Sequence, residues 1–395
     1  MRVLSISTLF PAPHRRAFGT FVGSQMQALA ARGTVDLVMV NPLGVPPWPL
    51  TLAGPFAAHK GWARQSELGG LTVHHPRFTL IPRIGGDSNP ARIARAVLPL
   101  ARRWHAQQPF DLVDAQFLFP DGPAAALIAR DLGLPLTIKA RGSDVSYWGQ
   151  RPRALAQIRA AADAASAILS VSQALIGDMA ALGLPAGKMV AHYTGLDHQR
   201  FAVLPRAEAR ARLAQAGVLA VPAAAPLLVC AGYLIERKGQ ALVIEALRAL
   251  PGAQLALAGK GPDEAALRAA SADLQGRVHF LGEIGHDVLP VLMAAADALV
   301  QPSVSEGLAN VWVEALACGT PLVIPPIGGA GEVVTGPAAG RIAAREAGAI
   351  AAALADLLAA PPAQADTAAF AARFSWQANA ENLEAIWRAA AGRRA

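Results

Sequence analysis

The chain has 395 residues, of which 53% are hydrophobic and 16% charged; this allows two or three domains with cores of their own and excludes disorder over most of the chain. Two cysteines, Cys230 and Cys318, exclude a disulfide framework and a four-thiolate zinc site, and we expect both to be buried in a protein of a reducing compartment. Residues 1–200 carry 20 basic and 11 acidic side chains and residues 201–395 carry 15 and 17, so the first half is expected to meet an anion, such as a lipid surface or a phosphorylated substrate.

Short strand-like runs alternate with Ala-rich, helix-like segments along the first half. In chain order these are Val3–Ser7, Thr20–Arg32, Val35–Val40, Leu112–Ala115, Pro123–Leu132, Leu136–Lys139, Ile168–Val171, Gln173–Leu182 and Met189–Ala191. The alternation predicts an open parallel sheet with helices on both faces. The apolar stretch after Arg2 is too short for a signal peptide, so we expect a cytosolic protein.

Two segments of the first half do not follow this alternation. Gly44–Pro55 is rich in proline and contains Trp48, which indicates an ordered loop or a mobile flap. Ser88–His105 reads as a helix with Ser88 as its N-cap and a kink at Pro99. One side of that helix is basic, with Arg92, Arg95, Arg102 and Arg103. Such a face can lie on anionic lipid, or it can be the solvated side of a helix whose apolar stripe packs on the core.

A second alternating series follows a short charged helix, Arg206–Gln215, and an Ala- and Pro-rich linker. Its strand-like runs are Leu227–Ala231, Gln254–Ala258, Val278–Leu281, Ala298–Gln301 and Leu322–Ile324. The tail, Trp376–Arg388, has the pattern of an amphipathic helix. We therefore predict two doubly wound α/β domains, at residues 1–200 and 201–374, followed by a final helical segment at residues 375–395.

Residues with binding chemistry follow the strand-like runs of the second half, where open α/β sheets bind their ligands. Arg237 and Lys238 are adjacent cations suited to a diphosphate, although such a pair also occurs on ordinary surfaces. Gly259-Lys260-Gly261-Pro262 allows backbone to approach a base or a phosphate, or is simply a turn. It is not the full dinucleotide fingerprint, since a third glycine is missing at the required spacing.

The most informative segment spans residues 301–323. Glu306 lies in a loop, and a helix that carries Glu314 is expected to begin near Leu308, where free amides form an anion site. Carboxylates accept hydrogen bonds from sugar hydroxyls, so the pair could hold a nucleotide sugar. The alternative is two ordinary glutamates on an exposed helix.

The spacing Glu306-X7-Glu314, followed by Ala-Cys-Gly-Thr-Pro, resembles the hallmark of the retaining glycosyltransferases of family 4. The resemblance covers most of the chain. Other matching segments are Gly19-Thr20-Phe21-Val22, Pro120-Asp121-Gly122, Arg141-Gly142-Ser143-Asp144, Gly195-Leu196-Asp197, Arg237-Lys238-Gly239 and Gly328-Gly329. It implies the GT-B fold: two doubly wound Rossmann-like domains that face each other across a cleft, with a C-terminal helix that crosses back to the first domain.

The resemblance also implies roles for matching residues. The implied donor-binding set is Gly19, Arg237, Lys238, Gly259, Lys260, Gly261, Pro262, Glu306, Gly307, Leu308, Ala309, Asn310 and Glu314. Within it, Arg237 and Lys238 would bind the diphosphate, Glu314 the ribose and Glu306 the transferred sugar. The implied catalytic set is Glu306, Arg237, Lys238 and Arg141, and the implied acceptor-binding residues are Asp121 and Asp144.

Three positions depart from the family pattern. Arg141 and Gln116 stand where members often have histidines, and Tyr233 stands where an arginine is usual. Arginine stays protonated and cannot act as a general base, although it can neutralise the charge of a leaving group.

The function implied is transfer of a hexose, with retention, from a nucleotide diphosphate sugar to a hydroxyl of a saccharide acceptor in polysaccharide or cell-envelope biosynthesis. UDP is the expected nucleotide, and a polyprenyl-linked saccharide is one option for the acceptor. The enzyme is expected in the cytoplasm. Contact with the inner face of an anionic membrane is a hypothesis. No Asp-X-Asp triplet occurs, so we expect no metal and no other cofactor; scattered basic residues argue against nucleic acid. The alternatives are a nucleotide-sugar 2-epimerase on the same fold and a non-catalytic nucleotide-sugar-binding protein.

Overall fold

The computed structural model describes residues 1–16, 18–51, 61–81, 85–274, 276–285 and 287–392. The chain forms two compact units. Unit 1 comprises Met1–Gly195 and Trp376–Ala395, and unit 2 comprises Leu196–Ser375. The division after Gly195 lies five residues before the one expected from sequence, and the chain re-enters unit 1 at Trp376.

Unit 1 is built on an eight-stranded sheet. Its elements are β1 (Arg2–Ile6), α1 (Thr20–Ala31), β2 (Asp36–Val40), β3 (Leu43–Val45), β4 (Gln65–Leu68), β5 (Leu71–His74), β6 (Arg77–Thr79), α2 (Asn89–Gln107), β7 (Leu112–Ala115), α3 (Asp121–Leu132), β8 (Leu136–Ala140), α4 (Pro152–Ala164), β9 (Ala167–Ser170), α5 (Gln173–Ala181) and β10 (Met189–Ala191). The strand order is β10-β9-β8-β7-β1-β2-β5-β4, and β3 and β6 form a separate two-stranded sheet. All neighbours pair in parallel except β4, which is antiparallel to β5.

Unit 2 is built on a six-stranded, fully parallel sheet. Its elements are α6 (Arg206–Gln215), β11 (Leu227–Ala231), α7 (Gln240–Leu247), β12 (Gln254–Ala258), α8 (Glu264–Ala270), β13 (Val278–Gly282), α9 (Val288–Ala295), β14 (Ala298–Val300), α10 (Asn310–Ala317), β15 (Leu322–Ile324), α11 (Ala330–Val333), β16 (Gly340–Ile342), α12 (Ala347–Ala359) and α13 (Gln364–Ala369). The strand order is β13-β12-β11-β14-β15-β16. Strands buried on both faces explain the continuous apolar runs of the sequence. Cys230 and Cys318 are both buried free thiols, as expected.

The last helix, α14 (Trp376–Gly392), belongs to unit 1. It packs against the same core as β1 and α1, where Leu383, Trp387 and Ala390 are buried beside Val22, Met26 and Leu29. The apolar stripe read from the sequence is thus the buried face of this helix. The remainder of the expected segment, residues 393–395, lies outside the described residues.

Helix α2 is amphipathic, with its apolar side on the core. Ile93, Ala94 and Val97 are buried, and Arg95, Arg102 and Arg103 are exposed. Ser88 occupies the N-cap position, but its hydroxyl donates to the carbonyl oxygen of Gly85 at 2.8 Å and makes no capping bond, because a 3-10 turn (Gly86–Ser88) leads directly into the helix. Pro99 lies inside α2 without ending it. No described helix is long and apolar enough to span a bilayer.

The proline-rich segment Gly44–Pro55 falls partly within the described residues. Its first part forms β3, which pairs with β6, and Trp48 is 76% exposed. Residues 52–55 lie outside the described residues.

Candidate active site

Four loops meet at the carboxyl edge of the unit 2 sheet. They follow β11, β12, β14 and β15 and span residues 232–239, 259–262, 301–309 and 325–329. Backbone hydrogen bonds tie each loop to a neighbour: Gly232 N to Ala258 O (2.9 Å), Leu234 N to Lys260 O (2.9 Å), Val304 N to Arg237 O (2.8 Å) and Gly329 N to Gly307 O (2.7 Å). The loops therefore form one connected layer that can hold side chains in fixed positions.

The glycines of this layer make room for backbone. A Cβ on Gly259 (φ +142°) would lie 2.0 Å from the carbonyl oxygen of Gly232, and one on Gly261 would lie 2.1 Å from that of Leu234. The space beside the Gly259–Pro262 turn is thus filled by the β11 loop, which accounts for both glycines without a ligand. Contact of this turn with a base stays a prediction. Lys260 is 65% exposed and lies 3.7 Å from Glu283.

Two cations converge on Glu306. The Lys238 Nζ atom lies 2.5 Å from Glu306 Oε1, and Arg237 Nη1 lies 3.6 Å from the same oxygen. Arg237 Nη1 also donates to the carbonyl oxygen of Ser305 at 2.6 Å. The side chains of Lys238 and Glu306 are only 15% and 13% exposed. One carboxylate facing two cations leaves positive charge in excess, which is suited to an anionic ligand.

Helix α10 begins immediately after this group. Leu308 is buried, Ala309 is the N-cap residue without a side-chain capping bond, and Asn310 is the first helical residue. The first amides of a helix lack partners within the helix and carry the positive end of its dipole. The chain thus passes from Glu306 into a helix start with free amides, as predicted, through Gly307, Leu308, Ala309 and Asn310.

Glu314 lies in the second turn of α10 and is partly buried. Burial raises the pKa of this carboxyl to about 7, against the attraction of Arg200, which lowers it. No described residue makes a hydrogen bond or ion pair with the Glu314 carboxylate. Glu306 therefore contacts the cation pair directly. Glu314 makes no such contact and is connected to this group only because α10, which carries it, begins beside Glu306.

The carboxyl edge of the unit 1 sheet holds Asp144 and Asp121, both fully buried. Asp144 accepts hydrogen bonds from the backbone amides of Leu118, Arg141, Gly142 and Val145 at 2.8–3.2 Å. Asp121 accepts from the amide and the hydroxyl of Thr8 at 2.9 and 2.8 Å, and burial raises its pKa to about 7. These contacts shape the loops, and an acceptor would have to open them to reach either carboxylate. The acceptor-binding role of both residues stays a prediction.

Gly19 is the N-cap residue of α1 and adopts the left-handed conformation, with φ +70°. A Cβ there would lie 2.6 Å from the carbonyl carbon and oxygen of Leu9. The packing of two backbone segments therefore requires glycine at this position. Donor contact by Gly19 stays a prediction.

Behind Arg141 lies a buried polar network that the sequence analysis missed. Asp114 accepts hydrogen bonds from Ser5, Gln116, Thr137 and Trp387 at 2.7–3.1 Å. The Lys139 Nζ atom donates to Gln25 Oε1 at 3.0 Å and to His192 Nδ1 at 2.5 Å. Burial and the nearby charge of Arg141 lower the pKa of Lys139 well below its ordinary value. The one available signal was a lysine inside the apolar run of β8.

Helix α14 contributes two residues to this network. The Trp387 indole N–H donates to Asp114, and the backbone carbonyl of Asn379 lies 2.9 Å from His192 Nε2. His192 must therefore carry its proton on Nε2 and accept at Nδ1 from Lys139. Burial, followed by the charge of Lys139, lowers the pKa of His192 well below its ordinary value. This histidine has a structural role.

Two family models together match most of the chain. The model described as "Glycosyl transferase 4-like domain" matches residues 17–195, and the one described as "Glycosyl transferases group 1" matches residues 214–374. The chain belongs to the family 4 glycosyltransferases. This glycosyltransferase is 27% identical over 339 residues to TuaC of Bacillus subtilis, which is named as a teichuronic acid biosynthesis glycosyltransferase; the match covers 83% of this chain and 82% of TuaC. It is 32% identical over 248 residues to a GDP-mannose-dependent alpha-(1-6)-phosphatidylinositol monomannoside mannosyltransferase of Mycolicibacterium smegmatis, covering 59% of this chain and 64% of the relative.

Solved structures confirm the GT-B fold of the glycosyltransferase. Sucrose-phosphate synthase from Thermosynechococcus elongatus superposes with a TM-score of 0.78 at 21% identity, covering 98% of this chain and 99% of that chain. Anabaena HepE in complex with UDP and glucose superposes with a TM-score of 0.74 at 20% identity, covering 98% and 100%. Among the described residues of the glycosyltransferase, no group of three or more His, Cys, Asp and Glu side chains could hold a metal ion.

Proposed function

We propose that this glycosyltransferase moves a hexose from a nucleotide diphosphate sugar to a hydroxyl of a saccharide acceptor, with retention and without a metal. The observation that supports this most directly is the contact of Lys238 and Arg237 with Glu306 beside the start of α10. When the bond from the sugar C1 to the phosphate oxygen breaks, that oxygen takes the electron pair. The two cations and the helix amides stabilise this charge. The acceptor hydroxyl oxygen forms the new bond to C1, and its proton passes to the phosphate oxygen.

The nucleotide in this proposal is UDP, as in the HepE complex. Relatives that are named as GDP-mannose-dependent make GDP the competing choice. The two carboxylates divide between the two halves of the donor: Glu306 accepts hydrogen bonds from the hexose hydroxyls and Glu314 from the ribose hydroxyls.

The acceptor in this proposal is a saccharide of a polysaccharide or cell-envelope pathway, with a lipid-linked saccharide as one form. Relatives named for teichuronic acid and phosphatidylinositol mannoside support this class. The basic first half of the chain favours an acceptor that carries negative charge. In the helical turn that follows β8 (Asp144–Trp148), Tyr147 is 53% exposed, and the Arg151 Cζ atom lies 4.3 Å from the centre of its ring. This exposed pair offers a sugar a stacking surface that the buried Asp144 cannot.

A thermal-shift and transfer assay tests the proposal. UDP and GDP sugars are added to the full-length protein, and one that binds should raise the melting temperature, since ligand at about 100 times its Kd stabilises by about 2.7 kcal/mol. NMR of the product then gives the anomeric configuration, and a parallel reaction with EDTA tests for a metal requirement. An inverted product would contradict retention, and loss of activity in EDTA would contradict metal independence. Epimerised donor, or binding without turnover, would instead identify one of the alternatives.

Membrane contact through α2 is a further part of the proposal. Replacing Arg92, Arg95, Arg102 and Arg103 with glutamate should lower binding to phosphatidylserine-containing vesicles by about a hundred-fold or more, since each basic residue near such a surface contributes about 1 kcal/mol. Co-sedimentation measures the binding, uncharged phosphatidylcholine vesicles are the control, and circular dichroism checks that α2 persists. Unchanged co-sedimentation would contradict membrane contact. The basic face of α2 would then be only the solvated side of a helix that packs on the core.

A further inference from the structure

The guanidinium of Arg141 is held along one side by a single residue. Its Nε atom donates to the backbone carbonyl of Gln116 at 2.7 Å, and its Nη2 atom donates to Gln116 Oε1 at 2.6 Å. The ring of Phe21 lies 5.0 Å from the Arg141 Cζ atom. No described residue accepts a hydrogen bond from Nη1. The group is therefore fixed in position with donors left over.

The charge of Arg141 also lacks a direct partner. No carboxylate among the described residues lies within 4.0 Å of its guanidinium. Asp114, Asp121 and Asp144 act on it only from a distance and are engaged by their own donors. Burial lowers the pKa of Arg141 to about 10, so it stays charged at neutral pH. Partly buried charges are normally paired, and no carboxylate among the described residues contacts this one.

The orientation of Gln116 is set by residues behind it. Its Nε2 atom donates to Asp114 Oδ2 at 2.7 Å, and its Oε1 atom also accepts from Gln25 Nε2 at 2.8 Å. Since the amide nitrogen faces a carboxylate, the amide oxygen must face Arg141. Gln25 is in turn held by Lys139. The network thus presents the guanidinium in one orientation, which reduces the entropy lost when a ligand binds.

We propose that Arg141 is the centre of a phosphoryl-binding subsite in unit 1, with Gln116 as its positioning residue. The guanidinium fork matches the oxygens of a phosphate and binds two of them at once. This inference deepens the proposed function and rests on it, because the transfer reaction brings two sources of phosphate to the enzyme. One is the phosphate of a lipid-linked acceptor, and the other is the diphosphate of the nucleotide.

The first test is calorimetric titration of the full-length protein with inorganic pyrophosphate. The double variant Arg237→Ala/Lys238→Ala removes the cations assigned to the donor and should retain one pyrophosphate site. Adding Arg141→Gln should then weaken that site by at least tenfold, whereas Arg141→Lys, which keeps the charge but loses the fork, should weaken it less. Gln116→Met should weaken it several-fold with Arg141 still present. Arg130→Gln, at an exposed position in the last turn of α3, is the matched control and should change nothing.

The second test separates the two phosphate sources. If the acceptor supplies the phosphate, Arg141→Gln and Gln116→Met raise KM for a phosphorylated acceptor and leave KM for its dephosphorylated analogue unchanged. If the nucleotide supplies it, both variants lower kcat with every acceptor and weaken inhibition by the nucleoside diphosphate. A merely structural role would lower the melting temperature without this selectivity.

Two results would overturn the subsite: no pyrophosphate site in Arg237→Ala/Lys238→Ala, or a site that Arg141→Gln leaves unchanged. If Arg141→Gln does not fold, Arg141→Lys and Gln116→Met carry the same titration. Failure of the proposed function is a separate outcome, because wild-type protein that transfers no hexose can still bind pyrophosphate at Arg141.

Discussion

Replacing Lys238 with alanine is expected to lower kcat/KM for hexose transfer by about a hundred- to a thousand-fold, the range typical for loss of one charge-stabilising donor. The Nζ atom lies 2.5 Å from Glu306 and is largely shielded from water. Its removal takes away stabilisation of the leaving diphosphate and leaves Arg237, at 3.6 Å, as the one cation paired with Glu306 among the described residues. Initial rates at varied donor concentration measure the effect. Lys238→Arg should recover part of it.

Lys188→Ala is the matched control for this substitution. Lys188 is a partly exposed residue of unit 1 whose Nζ atom donates to the backbone carbonyl of Asp163, so its loss should leave kcat/KM within about twofold of wild type, since changes away from the site have small effects. A wild-type value of kcat/KM in Lys238→Ala would show that the cation pair does not belong to the donor site. A comparable loss in Lys188→Ala would show that the assay reports general damage.

Donor affinity is expected to fall about tenfold between pH 8 and pH 6 because of Glu314. Its pKa is raised to about 7 by burial, and the ionised carboxylate accepts much stronger hydrogen bonds from the two ribose hydroxyls than the protonated acid does. Below the pKa of the free enzyme, binding must first remove a proton, which costs a factor of ten per pH unit. Titration with the nucleotide sugar is the appropriate measurement, because its diphosphate stays ionised over this range.

Glu314→Gln is the control for this pH dependence. It keeps the shape of the side chain, should bind the donor about a hundred-fold less tightly at pH 8, where two hydrogen bonds to a charged group are lost, and should show no step near pH 7. Because the folded-state pKa exceeds the ordinary value of 4.5, Glu314 should also make the wild-type fold less stable as the pH rises from about 4.5 to about 7. If the donor affinity of the wild-type protein does not change with pH, Glu314 does not bind the ribose.

The regular alternation of apolar runs predicted most of both sheets. Each strand-like run of the second half appears as a strand, and β11, β12, β14 and β15 are largely apolar because they are buried along their whole length. The missed strands lack this signal. β4 (Gln65–Leu68) is a polar strand at one sheet edge, and β16 (Gly340–Ile342) is an edge strand in which Gly340 and Arg341 replace an apolar run.

The site was partly predictable for a related reason. Glu306, Arg237 and Lys238 follow strands of one parallel sheet, whose carboxyl ends share an edge, so their proximity follows from topology. The motifs of Asp121 and Asp144 predicted acceptor binding. They did not predict that both carboxylates would be buried and would accept hydrogen bonds from backbone amides.

The sequence by itself determined most strands of the two sheets, the family and the residues that follow those strands, because these depend on local periodicity and on motifs of a few residues. Only the tertiary structure decided which polar groups are buried together. Gln25, Gln116, Lys139, His192 and Trp387 meet because α1, three strand ends and the last helix converge in one core. Hydrogen bonds between residues so distant in sequence have no local periodicity, and the free energy gained by satisfying buried donors and acceptors is defined only once the core has formed.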